Sequence, residues 1–127
     1  MAGVTARPLR WAVVDVGLDP AEGPEQAGER RVLVVSYEPF HRSELMTVCP
    51  ITAARAEPRH PGEVAISAGE AGQTKPGIIM CGQVRTVTQQ RIRGQPVGIV
   101  STPQTRRNVR RALAHHLGLD IPALVDA

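Results

Sequence analysis

Short apolar runs separated by Gly- and Pro-rich segments make up most of the chain before residue 100. The runs lie at residues 11–16, 32–36, 46–51, 63–67, 77–87 and 95–100. Runs of this length that are rich in β-branched residues are typical of strands. Residues 32–36 (VLVVS) are nearly all β-branched, which predicts a strand buried on both faces. Residues 77–87 (GIIMCGQVRTV) are predicted to form the longest single strand.

The C-terminal part has a different pattern, because apolar residues there recur at helical spacing. Thr102 is a predicted N-cap with Pro103 at the first helical position, and Gly118 is a stop signal. The residues predicted to form the apolar face are Val109, Ala112, Leu113, His116 and Leu117. Many short strands followed by one helix predict a mainly β fold with a C-terminal helix, built as a small, partly open barrel.

The length of 127 residues predicts one domain over residues 1–127, with a loose N-terminal arm at 1–9 and a C-terminal tail at 120–127. Two polar loops, at residues 17–29 and 68–76, are rich in Gly, Pro and acidic residues. Loops of about a dozen residues inside a small domain are often functional.

The composition bears on possible partners. Only three aromatic residues are present, which argues against an aromatic platform for stacking single-stranded bases. The formal net charge of +3 suggests an anionic partner, and Lys75 is the only lysine among 15 basic residues. Arginine suits phosphate binding, but a GC-rich genome produces the same bias.

The two cysteines, Cys49 and Cys81, lie in apolar segments without a CxxC pair or nearby histidines at metal-ligand spacing. Two buried, reduced thiols are predicted, with a disulfide as the alternative. No apolar run is long enough to span a bilayer, and the N-terminus has no hydrophobic signal core. We therefore expect a cytoplasmic protein that does not contact a membrane.

Several common kinds of active site are missing from the sequence. It contains no P-loop, GxGxxG, HExxH or nucleophile elbow. The four histidines are scattered, and the acidic residues do not cluster at ligand spacing. We predict no metal site and no cofactor.

Arginine, hydroxyl and amide groups remain at the ends of predicted strands. Arg30 precedes the buried run 32–36, and Thr52 follows the run 46–51. Within a single strand, Gln83 and Arg85 would share one face and Thr86 would point the other way. Each of these residues also has an ordinary interpretation as a surface or edge residue.

Three segments in a fixed order carry a family resemblance: "EQAGERRVLVVS" from Glu25, "CPIT" from Cys49 and "KPGIIMCGQVRT" from Lys75. Together with the tail after "VGIVS", they resemble the MazF/PemK family of toxin endoribonucleases over residues 11–119. The resemblance implies an SH3-like barrel of the CcdB/PemK type that forms a homodimer and is inhibited by a MazE-like cognate antitoxin. It also implies metal-independent, sequence-specific cleavage of single-stranded RNA. Attack of the ribose 2′-OH would leave a 2′,3′-cyclic phosphate and a 5′-OH.

The resemblance also implies roles for individual residues. Arg30 would be the principal catalytic residue, and Thr52 would hold the same phosphate. Glu25 would accept the 2′-OH proton, or would instead order its loop or contact a base. The residues predicted to contact RNA are Gln26, Gly28, Ser36, Gln83 and Arg85.

Two positions depart from the family pattern. Arg31 stands where the family has proline, and Gly82 stands where it has an acidic residue before the Gln. Because side chains alternate along a strand, only one of Arg30 and Arg31 is predicted to face a cleft. Two alternatives remain open: a gyrase-poisoning, CcdB-like toxin, and a catalytically silent RNA-binding module on the same fold.

Overall fold

The computed structural model describes residues 8–18 and 28–119. Within them the chain forms seven strands and one α-helix. In chain order these are β1 (Ala12–Leu18), β2 (Gly28–Val34), β3 (Leu45–Thr52), β4 (Glu63–Ile66), β5 (Gly77–Met80), β6 (Arg85–Thr88), β7 (Ile92–Ile99) and α1 (Pro103–Leu117). Short 3-10 turns cover Glu38–Ser43, Cys81–Gln83 and Gln89–Arg91.

The strands form one antiparallel sheet in the order β4-β5-β3-β2-β1-β7. Strand β3 is shared, because its C-terminal end pairs with β5 while its N-terminal half pairs with β6. In the described residues the sheet does not close on itself. The predicted class, a mainly β and partly open barrel with a C-terminal helix, is confirmed.

The central strands are buried on both faces because they separate two apolar clusters. One cluster lies beneath α1 and includes Val13, Leu33 and Val109. The other lies on the opposite face and includes Val14, Val34 and Met46. The alternation along β1 and β2 sends successive valines and leucines to opposite sides. This confirms the two-sided burial predicted for residues 32–36, although the strand itself begins earlier, at Gly28.

The single strand predicted over residues 77–87 is wrong. A 3-10 turn at Cys81–Gln83 divides it into β5 and β6. Because of these three residues, the register in which β6 pairs with β3 differs by three residues from the register in which β5 pairs with β3. Gln83 therefore lies in the turn, and it does not share a strand face with Arg85.

Helix α1 begins and ends where the sequence indicated. Pro103 occupies the first position, and Gly118 ends the helix in the left-handed region at φ 69°. The predicted apolar face is wrong in its last turn, because His116 and Leu117 are exposed. The buried residues of the helix are Thr105, Val109, Ala112 and Ala114.

The predicted last strand, residues 95–100, is longer than the sequence suggested. Strand β7 begins at Ile92 and pairs with β1 on the edge of the sheet. Its first half contains Arg93 and Gly94, so its composition does not resemble a buried strand.

An ion pair fixes the connection between β3 and β4. The Arg55 guanidinium contacts both carboxylate oxygens of Glu63, at 2.7 Å from Nη1 to Oε1 and more closely from Nη2 to Oε2. The backbone N–H of Arg59 donates to Oε1 of the same carboxylate at 2.8 Å. These hydrogen bonds, with that from Arg55 the largest, lower the pKa of Glu63 from its usual 4.5 to about 2.

This pKa predicts a specific acid sensitivity. Between pH 4.5 and 2 the unfolded state binds a proton at Glu63 while the folded state does not, so stability rises with pH in this window. The contribution of Glu63 is therefore complete above pH 4.5 and is lost as the pH falls towards 2. We expect Glu63→Gln to flatten the dependence of the urea midpoint on pH in this range. Parallel curves for the two proteins would contradict the assignment.

Both cysteines are free thiols with no exposed surface, which agrees with the prediction of two buried, reduced thiols. A hydrogen bond with Cys81, together with burial, raises the pKa of the Cys49 thiol. Since the thiolate is the reactive form, neither residue should react with a thiol reagent in the native protein. We expect labelling by a chromogenic disulfide only after urea unfolding. Rapid labelling of both thiols without urea would contradict this burial.

Candidate active site

Arg30 and Thr52 lie on the same face of the sheet. Strand β2 pairs with β3 in a register that places Val32 opposite Pro50. Continuing that register by two residues brings Arg30 level with Thr52, and alternation gives both side chains the same direction. The sheet therefore brings together the two residues that the sequence marked separately at strand ends.

The close approach of β5 fixes the end of β3 at Thr52. Thr52 pairs with Ile78, and a Cβ atom on the neighbouring Gly77 would lie 2.4 Å from the Thr52 carbonyl oxygen. Only glycine allows this approach. The Thr52 hydroxyl accepts the N–H of Ala54 at 3.1 Å, which leaves its O–H able to donate to a ligand.

A cleft of about 270 Å³ opens beside this strand end. Its lining residues are Asp15, Glu29, Arg30, Arg31, Ile51, Ala53 and Gln73. Both arginines belong to the lining, whereas Thr52 does not, although it lies between the lining residues Ile51 and Ala53.

The two arginines lie opposite different residues of β1. Arg31 lies opposite Asp15 in the β1–β2 ladder and forms a forked ion pair with it, from Nε to Oδ1 at 2.9 Å and from Nη2 to Oδ2 at 3.2 Å. The hydrogen bond to Asp15 is the main cause of the raised pKa of Arg31. Arg30 lies opposite Val16 and is half-buried. The departure from the family's proline thus introduces a cation that the fold pairs with Asp15.

Three residues of the cleft were not selected from the sequence. Glu29 and Asp15 supply the carboxylates of the lining, and Gln73 supplies an amide whose Nε2 donates to the Ala71 carbonyl at 3.0 Å. Gln73 is buried although it lies in the polar loop 68–76. The proximity of Glu29 to Arg30 in sequence was a usable signal, whereas nothing in the sequence indicated Gln73.

The other predicted residues lie outside this cleft. Gln83 is exposed in the Cys81–Gln83 turn, and Arg85 is exposed opposite Val48, about 13 Å along β3 from Thr52. Gly28 begins β2, two residues before Arg30. Glu25 and Gln26 lie outside the described residues.

Ser36 follows β2 at the end opposite to Arg30, where its hydroxyl is engaged. Its Oγ lies 2.7 Å from Nε2 of His41 and accepts the N–H of Thr47 at 2.9 Å. Nδ1 of His41 in turn lies 3.3 Å from Oε1 of Glu38. These contacts connect the Glu38–Ser43 turn to β3, which gives Ser36 a clear structural role.

The comparisons with known proteins agree with this geometry. The sequence model of PemK-like, MazF-like toxins of type II toxin–antitoxin systems matches residues 9–117. The chain belongs to this family.

Individual relatives support the assignment. The chain is 38% identical over 73 residues to endoribonuclease PemK of Escherichia coli, covering 57% of this chain and 54% of PemK. The match therefore spans about half of that relative's length. Endoribonuclease EndoA of Bacillus subtilis is 36% identical over 84 residues, covering 65% of this chain and 72% of EndoA.

A solved structure shows the same fold. It is an endoribonuclease in complex with its cognate antitoxin from a Mycobacterial species, with a TM-score of 0.72 and 26% identity. The similarity covers 91% of this chain and 100% of that chain. Over residues 8–18 and 28–119, no helix of our protein is both long and apolar enough to cross a membrane.

Proposed function

We propose that this protein is a toxin endoribonuclease that cleaves single-stranded RNA at specific sequences without a metal ion. The observation that carries the proposal is the position of Arg30 in the cleft lining, level by extension of the β2–β3 register with Thr52, which lies between the lining residues Ile51 and Ala53. Membership of the toxin family and the endoribonuclease relatives support it.

The proposed reaction is attack of the ribose 2′-oxygen on the adjacent phosphorus. The P–O bond to the 5′-oxygen breaks, which yields a 2′,3′-cyclic phosphate and a 5′-OH. Negative charge develops on the phosphoryl oxygens during the attack, and donors held in place stabilise it. Arg30 provides a planar cationic fork for these oxygens, and the Thr52 O–H donates a further hydrogen bond.

The protons of this reaction need a base and an acid. Glu25 is the proposed acceptor of the 2′-OH proton, and the carboxylates that line the described cleft are those of Glu29 and Asp15. The leaving 5′-oxygen takes its proton from water. A guanidinium stays protonated in proteins and is a poor proton donor to a leaving group, so the proposed role of Arg30 is electrostatic.

We also propose how the protein is organised and controlled. Residues 1–127 form one cytoplasmic toxin domain, which acts as a homodimer and is inhibited by a MazE-like cognate antitoxin. The antitoxin complex of the mycobacterial relative supports this form of control. The proposed contacts to RNA are Gln26, Gly28, Ser36, Gln83 and Arg85. Of these, Ser36, Gln83 and Arg85 lie away from the Arg30 cleft.

The test is cleavage of a long single-stranded RNA by the purified protein, freed of antitoxin, in the presence of EDTA. We expect discrete cuts whose 5′ ends accept phosphate from a polynucleotide kinase without prior phosphatase treatment. The matching 3′ ends should be cyclic phosphates. Absence of cuts would contradict the proposal and favour the gyrase-poisoning or silent RNA-binding alternatives. Cuts that require Mg²⁺ would contradict the metal-independent mechanism.

A further inference from the structure

Helix α1 carries a concentration of positive charge that the proposed reaction does not use. Its sequence, PQTRRNVRRALAHHL, contains four arginines and two histidines but no acidic residue. The formal net charge of the whole chain is only +3, so the arginines of this one helix exceed it. A helix face with charge of one sign is unusual for a solvated surface, where both signs are generally mixed.

Two of these arginines, together with Arg10, surround the indole ring of Trp11. The guanidinium carbons of Arg10, Arg106 and Arg110 lie 5.3, 5.2 and 5.6 Å from the centre of the Trp11 ring. We refer to Arg10, Arg106 and Arg110 as the Trp11 arginine cluster. Trp11 is 6% exposed, and Nε of Arg106 donates to the Val100 carbonyl at 2.7 Å.

The backbone holds the cluster in place. Trp11 has a left-handed φ of 71°, and its N–H and carbonyl bond to Val34 and Val100, each at 2.8 Å. A non-glycine residue keeps such a conformation only where its surroundings fix it. The cluster is therefore built onto a fixed junction between β1, β2 and α1.

No anion in the described part of the chain neutralises the cluster. The ion pairs found in residues 8–18 and 28–119 involve Asp15, Glu38 and Glu63, and none includes Arg10, Arg106 or Arg110. The Glu38 carboxylate lies beside this segment of the chain. It accepts the backbone N–H groups of Leu9 and Arg10 and forms no ion pair with the cluster. Desolvation by burial, followed by the charges of Arg110 and Arg106, lowers the pKa of Arg10. A bound anion would relieve this repulsion.

The cluster is separate from the Arg30 cleft. Trp11 and Arg30 lie near opposite ends of the β1–β2 ladder, about 16 Å apart along the strands. They also differ in the sheet face: Trp11 belongs to the core beneath α1, whereas Arg30 alternates with Val32 on the other side. One phosphate cannot contact both sites.

We propose that the Trp11 arginine cluster binds backbone phosphates of single-stranded RNA beyond the segment that is cut. The proposal rests on the proposed nuclease function. Arginine forks suit phosphate oxygens, and Arg106 and Arg110 are one helical turn apart and side by side. The Trp11 ring is buried and so unavailable for base stacking, which makes the contact independent of sequence. Long RNA therefore binds more tightly than an RNA that covers only the cut site.

The test uses an Arg30→Gln background, so that RNA stays intact during binding measurements. The double variant Arg106→Gln/Arg110→Gln is compared with a control double variant of the same net charge, Arg59→Gln/Arg111→Gln. Neither Arg59 nor Arg111 belongs to the Trp11 arginine cluster. We expect the first pair to weaken binding of a long RNA about tenfold at moderate salt. The slope of log K against log salt should fall by about 1.4, as two lost phosphate contacts to a single strand require. Restoring charge with Arg106→Lys and Arg110→Lys should recover most of the slope.

Cleavage assays with Arg30 intact separate this proposal from the proposed function. A short RNA containing one mapped cut should be cleaved with unchanged kcat/KM by the Arg106/Arg110 double variant. Equal binding of long RNA by this variant and its control would overturn the cluster proposal, even where cleavage itself is found. Weaker inhibition by the antitoxin with unchanged RNA binding would also overturn it and assign the cluster to an acidic protein segment.

Discussion

Arg30→Gln is expected to reduce RNA cleavage by about two to three orders of magnitude, the range found when one preorganised donor to a developing oxyanion is removed. Glutamine keeps a polar side chain at the strand end but removes the permanent charge and the fork. Arg30 is half-buried in β2 opposite Val16, and it belongs to neither apolar cluster. The measurement is single-turnover cleavage of a long RNA in EDTA, with the melting temperature recorded for each protein.

Arg31→Gln is the matched control, because it removes the same charge one residue along the same strand. Arg31 is held by Asp15, so its loss should leave most of the activity in place. Strong loss of cleavage in Arg31→Gln with activity retained in Arg30→Gln would reverse the assignment of the two arginines. Equal loss in both would indicate that the cleft needs its total charge rather than one positioned fork.

Leu33→Ala is expected to lower the free energy of unfolding by about 2–5 kcal/mol. Leu33 is a large side chain with no exposed surface in the core beneath α1, and its strand lies in the middle of the sheet. Truncation removes apolar burial and leaves a cavity that flanking strands cannot fill. Since domains of this size are stable by only about 5–15 kcal/mol, the loss is a large fraction of the total. Urea unfolding followed by circular dichroism measures it.

The control for this substitution is Leu117→Ala, the same chemical change at a site that is 58% exposed. We expect a change within about 0.5 kcal/mol there. A similar loss in both proteins would mean that the last turn of α1 is covered in solution, for example by a second copy of the chain. A loss below 1 kcal/mol at Leu33 would contradict the core described here.

Local signals predicted much of this fold. The β-branched run at Val32–Val35 had to be buried on both faces, and Pro103 and Gly118 marked the ends of the helix correctly. The break at Cys81–Gln83 was missed because neither proline nor a polar cluster marks it. The break arises from tertiary structure, since β5 and β6 must pair with different parts of β3 in registers three residues apart.

The candidate site was predictable only in part. Arg30 and Thr52 were identified individually through the family resemblance, but their alignment follows from strand register, which the sequence does not encode locally. Asp15 and Gln73 reach the cleft from distant segments of the chain. The role of Arg31 also depends on register, because the β1–β2 ladder places it opposite Asp15. Pairwise contacts across strands of this kind cannot be read from spacing along one strand.

The most direct test of the proposed reaction removes one oxygen atom from the substrate. A cut site is mapped on a long RNA, and the same RNA is made with a single 2′-deoxy nucleotide immediately 5′ of the cut phosphate. Because the 2′-oxygen is the proposed nucleophile, we predict that cleavage at that phosphate is abolished while other sites are cut as before. Cleavage that persists at the deoxy position would show that water or another group attacks the phosphorus, and would contradict the mechanism built on Arg30 and Thr52.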